Sequence, residues 1–303
     1  MSRTLAVCIA AVLIIAACGG SGTSEPAVTS AAPAGASKIT GTPAPARAKL
    51  VVSYSNVLAD YFPAYVAKEA GIFDQNFLDV DLQLIASTTG LPALLAGQTQ
   101  IAHIGGSEAL TTTAGGGEVV VIANTGPVWP YQLYASADIK TPADLKGKKV
   151  AIAGVGGTFD IGIRTMLPKL GLFHSVAKMA DLNLPSAATT IIVTRSYLTA
   201  NKAVVQRYVD SIVQAITKAR ADKAGTIAAL KKYLKSDDDK AMQAAYDWYV
   251  GTVLRDPPTP TTAQFAGLQD VVSKFNDKVR TVDLAKLVDD SFVKSALDRG
   301  LLK

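Results

Sequence analysis

The chain has 303 residues with 49% hydrophobic and 18% charged side chains, 30 Lys and Arg against 25 Asp and Glu, and a formal net charge of +5. That length supports one large or two moderate α/β lobes, and the basic residues (Lys146, Lys148 and Lys149, then Lys231, Lys232 and Lys235) are scattered without interleaved aromatics, which argues against a nucleic-acid surface. The only cysteines are Cys8 and Cys18, both before residue 19, so the region beyond can form neither a disulfide nor a cysteine metal site.

The N-terminus reads as an export signal. Arg3 supplies a short positive start and Leu5–Ala17 an apolar run, shorter than the roughly 20 residues a membrane-spanning helix needs. Ile15-Ala16-Ala17-Cys18-Gly19 closes it as a lipobox, similar to bacterial lipoprotein signals, with Cys18 the expected lipidation site and membrane anchor. A signal peptide over 1–17 is followed by a linker over 18–49, rich in Gly, Ala, Ser, Thr and Pro and too poor in large apolar groups to offset the entropy of ordering.

Beyond it, apolar periodicity predicts strands at Leu50–Ser53, Val80–Ile85, Ile101–Ile104 and Val119–Ala123. Helices are predicted over Asp60–Ala70, stopped by Gly71, over Leu91–Ala96, closed by Gly97, and from a Ser107 cap to Ala114, before the triple glycine at 115–117. Alternation of the two predicts a mostly parallel sheet. Thr141-Pro142-Ala143-Asp144 reads as one capped turn, and Lys149–Ala153, Gly154–Thr158 and Phe159–Leu170 as strand, glycine turn and helix. Thr189–Thr194 is a return strand. Val204, Val205, Tyr208, Val209, Ile212, Val213 and Ile216 form one face of a long helix introduced by Asn201, with further helices near Thr226–Leu234, Asp238–Val250 and Thr262–Val279.

The glycine turn at 154–158 lacks the Gly-Lys-Ser/Thr ending of a phosphate loop and the spacing of a dinucleotide fingerprint. Its peptide N–H groups at a helix start still favour an anion, and Gly105-Gly106-Ser107 repeats the arrangement at an earlier strand end, so both turns are expected to edge one crevice. Trp129 and Tyr131 read either as pocket lining or as packing where two lobes join. His103, in an apolar strand, reads as a core residue, and neither it nor His174 sits in a catalytic or metal motif, so no cofactor, metal or catalytic residue is expected.

Tyr61–Phe73 (YFPAYVAKEAGIF), Leu95-Ala96-Gly97-Gln98 with Ile101-Ala102-His103, Ile139–Ile152 (IKTPADLKGKKVAI), Arg195–Leu198 and Asp290–Val293 together resemble substrate-binding proteins of ABC importers. The similar branch includes taurine, alkanesulfonate, nitrate and thiamine-pyrimidine-precursor receptors. The resemblance implies an α/β, two-lobed periplasmic-binding-protein-like fold joined by hinge strands, with lobe 1 over 50–133 and 190–303 and lobe 2 over 134–189. It implies a monomer that holds a small anionic or heteroaromatic molecule and hands it to a permease with its ATPase subunit, outside the cytoplasm and without catalysis. By position the ligand residues would be Ser55, Asn56, Ser87, Thr88, Gly106, Ser107 and Trp129 in the first lobe and Gly156, Gly157 and Thr158 in the second. A synthase shares the fold, but its cysteine-rich motif has no counterpart here. Between Leu170 and the return strand only residues 171–188 remain, too few for the strand-helix-strand element the family carries there, so lobe 2 is expected to be reduced. A scaffold kept as an interaction or sensory module after loss of its pocket is the alternative.

Overall fold

A computed structural model describes residues 44–131, 138–145, 147, 148, 162, 163, 186–254 and 257–302. The signal segment, Cys18, the linker up to residue 43, the glycine turn with Gly156, Gly157 and Thr158, and the short stretch 171–185 lie outside the described residues. Every element below falls within one compact unit, Pro45–Lys303.

Described elements, numbered in chain order, begin with β1 (Ala48–Tyr54), a 3-10 turn (Ala59–Tyr61), α1 (Phe62–Glu69), α2 (Ile72–Gln75) and β2 (Leu78–Leu84). They continue with α3 (Ser87–Leu95), β3 (Ile101–Ile104), α4 (Gly106–Ala114), β4 (Val119–Asn124) and a 3-10 turn at Pro142–Leu145. After β5 (Thr190–Thr194) the chain is helical: α5 (Arg195–Ala200), α6 (Lys202–Ala221), α7 (Lys223–Leu234), α8 (Asp239–Trp248), a π turn (Tyr249–Val253), α9 (Thr262–Val272), a 3-10 turn (Asp277–Thr281), α10 (Leu284–Leu287) and α11 (Ser291–Asp298).

The sheet order is β2-β1-β3-β5-β4. β2, β1 and β3 pair in parallel, but β5 lies antiparallel between β3 and β4, so the sheet is mixed rather than mostly parallel. The return strand enters from the end at which the other strands finish, and that reversal fixes its direction. Side chains alternate with period 2 across this sheet. Val52, Ile101, Val120, Ile122, Ile191 and Val193 pack on one face under α1, α6 and α11, while Ala102, Ile104, Val121 and Ile192 pack on the other under α4 and α9. The apolar face predicted for α6 is the one buried: Val205, Tyr208, Val209, Ile212, Val213 and Ile216 are fully covered.

Helix boundaries follow local chemistry. Gly71 takes the left-handed φ of 67° that ends α1, as expected of it. The N-cap of α4 is Gly105, whose side-chain-free backbone is extended; Ser107 sits in the first turn and does not cap it. α3 starts at Ser87 rather than Leu91 and carries Pro92 inside it. The expected long helix to Val279 stops at Val272, after a full Thr261/Gln264 capping box has opened it.

Two passages of chain lie side by side at one edge of the sheet. Going out, β4 continues into Thr125-Gly126-Pro127, and coming back, Ser186–Thr189 leads into β5. Thr125 N and Gly126 N both donate to Thr189 O (2.8 and 3.1 Å), Ala188 N to Gly126 O (3.0 Å) and Ser186 N to Pro127 O (2.9 Å). The Asn124 side chain ties the pair, donating from Nδ2 to Ser186 O (2.9 Å) and accepting from Gly126 N (3.0 Å).

Candidate functional site

β1, β3 and β4 run the same way and β5 runs against them, so the carboxyl ends of three strands and the start of β5 share one edge. Open α/β sheets bind ligands beyond this edge. The segments that leave it are Ser55–Tyr61, Gly105–Glu108 and Thr125–Tyr131, with 186–189 returning.

Asp60 is the centre of what they build. It is 5% exposed, its Oδ2 accepts from Thr189 Oγ1 at 2.7 Å, and its Oδ1 makes no hydrogen bond. Burial pushes its carboxyl up to about 6; the Thr189 hydroxyl and the peptide N–H groups of residues 60 and 61 oppose that rise without cancelling it. Beside it, the buried Tyr61 hydroxyl shares a 2.7 Å hydrogen bond with Ser55 Oγ, to which Asn56 Nδ2 also donates (3.1 Å). Burial and then the Asp60 charge raise the Tyr61 phenol, and Tyr249, in the π turn, is raised by the same two causes. Tyr131 is raised by burial and by the carboxylates of Asp60 and Glu108. The phenols of residues 61, 131 and 249 thus all feel the Asp60 charge from the 3-10 turn, the outgoing passage and the π turn.

The residues singled out in the sequence fall around this cluster unevenly. Ser55 and Asn56 are part of it. Ser87 and Thr88 open α3, half-buried and exposed, past the end of β2. Ser107 is buried, and its Oγ donates to Glu108 Oε2 (2.7 Å). Gly106 plays a different part from the one expected of it: its N–H, read as available to an anion, donates to Ala187 O at 2.7 Å. A Cβ at Gly106 would stand 2.5 Å from Ala187 Cβ, so glycine is required there for contact with the returning passage. Trp129 is 2% exposed and packs at 5.7 Å against the Tyr131 ring, close to Gly162. Trp248 Nε1 donates to Pro130 O (3.1 Å) and holds α8 to the same passage.

His103 is buried one strand residue short of the edge. Its Nε2 pairs with the Tyr208 hydroxyl at 2.7 Å and burial lowers it to about 3, so it is a neutral core residue, as its apolar strand implied. Among the described residues no three His, Cys, Asp or Glu side chains are placed to share a metal ion.

Comparison with known proteins bears on this edge. The family described as NMT1/THI5 like matches residues 59–191, which begin at the Asp60 turn and end inside β5. The sequence resemblance is thus upheld. A protein of Bordetella bronchiseptica RB50 superposes with a TM-score of 0.66 at 17% identity, over 83% of this chain and 98% of its own. The periplasmic aliphatic sulphonate binding protein SsuA of Escherichia coli superposes at 0.63 and 17% identity, over 83% of this chain and all (100%) of its own. A mutant of DSZB in complex with biphenyl-2-sulfinic acid superposes at 0.56 and 13% identity, over 84% of this chain and 99% of its own. No curated protein matches the chain. The fold is that of periplasmic binding proteins.

Proposed function

We propose that this protein is the extracytoplasmic solute-binding component of an ABC importer, tethered to the membrane through a lipid on Cys18. A small anionic or heteroaromatic molecule is held between two lobes that close by bending at the paired passages 124–127 and 186–190, and is delivered to a permease with its ATPase subunit. Ser55, Asn56, Ser87, Thr88 and Ser107 form the first side in this reading, and Gly156, Gly157 and Thr158 the second. The observation that carries this reading is the pair of hydrogen-bonded passages beside a polar cluster at the sheet edge. Two adjacent crossings permit rotation about a narrow axis, whereas crossings set far apart would lock the lobes. The fold of the sulphonate-binding neighbour supports the solute class, and the lipobox supports the location.

No bond chemistry is assigned, and His103 is committed to Tyr208 in the core. A thermal-shift screen of sulfonates, nitrate and pyrimidines is expected to give at least one hit that raises the unfolding temperature, as binding to the native state alone requires. A folded protein that no member of the screen stabilises at millimolar concentration contradicts the proposal. Permease subunits are expected to co-purify from membranes; a sensor kinase in their place supports an interaction module.

A further inference from the structure

Thr189 ties three segments together. Its hydroxyl donates to Asp60 Oδ2 in the 3-10 turn (2.7 Å), and its carbonyl oxygen accepts from Thr125 N (2.8 Å) and Gly126 N (3.1 Å) of the outgoing passage. The two passages touch closely here, since a Cβ at Gly126 would stand 2.6 Å from Thr189 N. A carboxylate accepts a stronger hydrogen bond than a neutral acid does, so the grip on Thr189 depends on the charge of Asp60. The Thr189 hydroxyl works against the burial that lifts this carboxyl to about 6. By linkage, a contact that favours the ionised form is weakened when the proton returns. Asp60 Oδ1 bonds to nothing, so a proton can settle there without displacing a partner.

The groups that face Asp60 do not take over this role. Tyr61 beside it, Tyr65 on α1, Tyr131 on the outgoing passage and Tyr249 in the π turn feel its charge, and burial raises all four above the ordinary phenol value, so they stay neutral. His103, whose ring lies 6.1 Å from that of Tyr61, is neutral down to about 3. Glu108 on α4 acts on Tyr61 and Tyr131, and no Lys or Arg among the described residues bonds to Asp60.

We propose that Asp60 and Thr189 form a proton-operated latch: the ionised carboxyl holds the returning passage against the 3-10 turn, and protonation slackens that passage together with the outgoing one bonded to it. Mild acid is the signal such a pair reads. Where two lobes bend at these passages, acid eases the bend; that consequence rests on the solute-binding reading above, whereas the latch itself does not.

Nuclear magnetic resonance of the isotope-labelled full chain in detergent, titrated from pH 7.5 to 5, tests the latch without any solute. The Asp60 carboxyl carbon is expected to titrate with a midpoint near 6, and the Thr125 and Gly126 amide signals to move with the same midpoint. Exchange of those two amides, corrected for its intrinsic pH dependence, should be about 10-fold faster at pH 5, the difference between a hydrogen bond to a charged and to a neutral group. In Asp60→Asn both signals should stay near their acid positions at every pH. In Thr189→Val, which keeps the shape and removes the hydroxyl, the Asp60 midpoint should rise and the two amides should cease to follow it. Amides that stand still while Asp60 titrates, amides that follow it equally well in Thr189→Val, or an Asp60 that takes up no proton in this range overturns the inference. None of these results bears on whether a solute binds, which the thermal-shift screen decides separately.

Discussion

Two buried titratable groups lie a few residues apart in space, one in the body of the sheet and one at its edge, and they meet burial in opposite ways. His103 gives up its charge: burial holds the ring neutral, at about 3, with Nε2 paired to the Tyr208 hydroxyl and Nδ1 without a partner. Asp60, at about 6, remains mostly ionised at neutral pH despite full burial, with one oxygen unpaired. A shift from 3.8 to about 6 corresponds to a cost of about 3 kcal/mol above that range. Both groups leave one buried atom unpaired, but only the one at the edge stays charged while doing so. Departures of this kind concentrate where a protein binds something.

The comparison breaks most readily at Tyr208. Tyr208→Ala empties a fully buried aromatic site between sheet and α6, and is expected to lower unfolding free energy by about 4 kcal/mol in chemical denaturation. At the edge the sign reverses. Asp60→Asn is expected to stabilise the protein by about 1–3 kcal/mol at pH 7.5. The fold favours the protonated acid, so the cost of Asp60 is absent below pH 3.8, builds between 3.8 and about 6 and is complete above; the gap between variant and parent should close as pH falls through that window. A destabilised Asp60→Asn at pH 7.5 would remove the contrast between the two regions.

His103 runs the other way. Its folded value lies below the ordinary 6.5, so its contribution is full above 6.5 and is lost as pH falls toward about 3. Between pH 7 and 5 the parent should lose about 2 kcal/mol through this group, partly offset by Asp60, and His103→Gln should retain that amount in denaturant titrations at the two pH values. The smallest expected effect is Gly106→Ala, in which the added methyl meets Ala187 and pushes the returning passage outward. It should cost about 1–2 kcal/mol and weaken solute binding more than a change of equal cost at Tyr208.

Much of the fold is legible in the sequence because its signals are local. Ile101–Ile104 is a strand with the predicted bounds, Gly71 ends α1, and the apolar stripe from Val205 to Ile216 is the buried face of α6. The insertion of β5 between β3 and β4 is not local: it joins residues more than sixty positions apart, and nothing in Thr189–Thr194 alone states its partners or direction. The site was half legible. Of the candidate site, the resemblance points to Ser55 and Asn56, whereas Asp60 reads in the sequence only as a favourable first-turn charge at a helix start. Its burial depends on Thr189, which arrives from the far end of the second passage. The Gly106 amide reads as free in the sequence for the same reason, since its acceptor, Ala187, comes with that passage.

A crystal structure of the full chain with a solute drawn from the thermal-shift screen tests the central claim most directly. The account predicts the molecule at the carboxyl edge of the sheet, between the Ser55–Tyr61 segment and the second side. A solute bound elsewhere on the protein contradicts it.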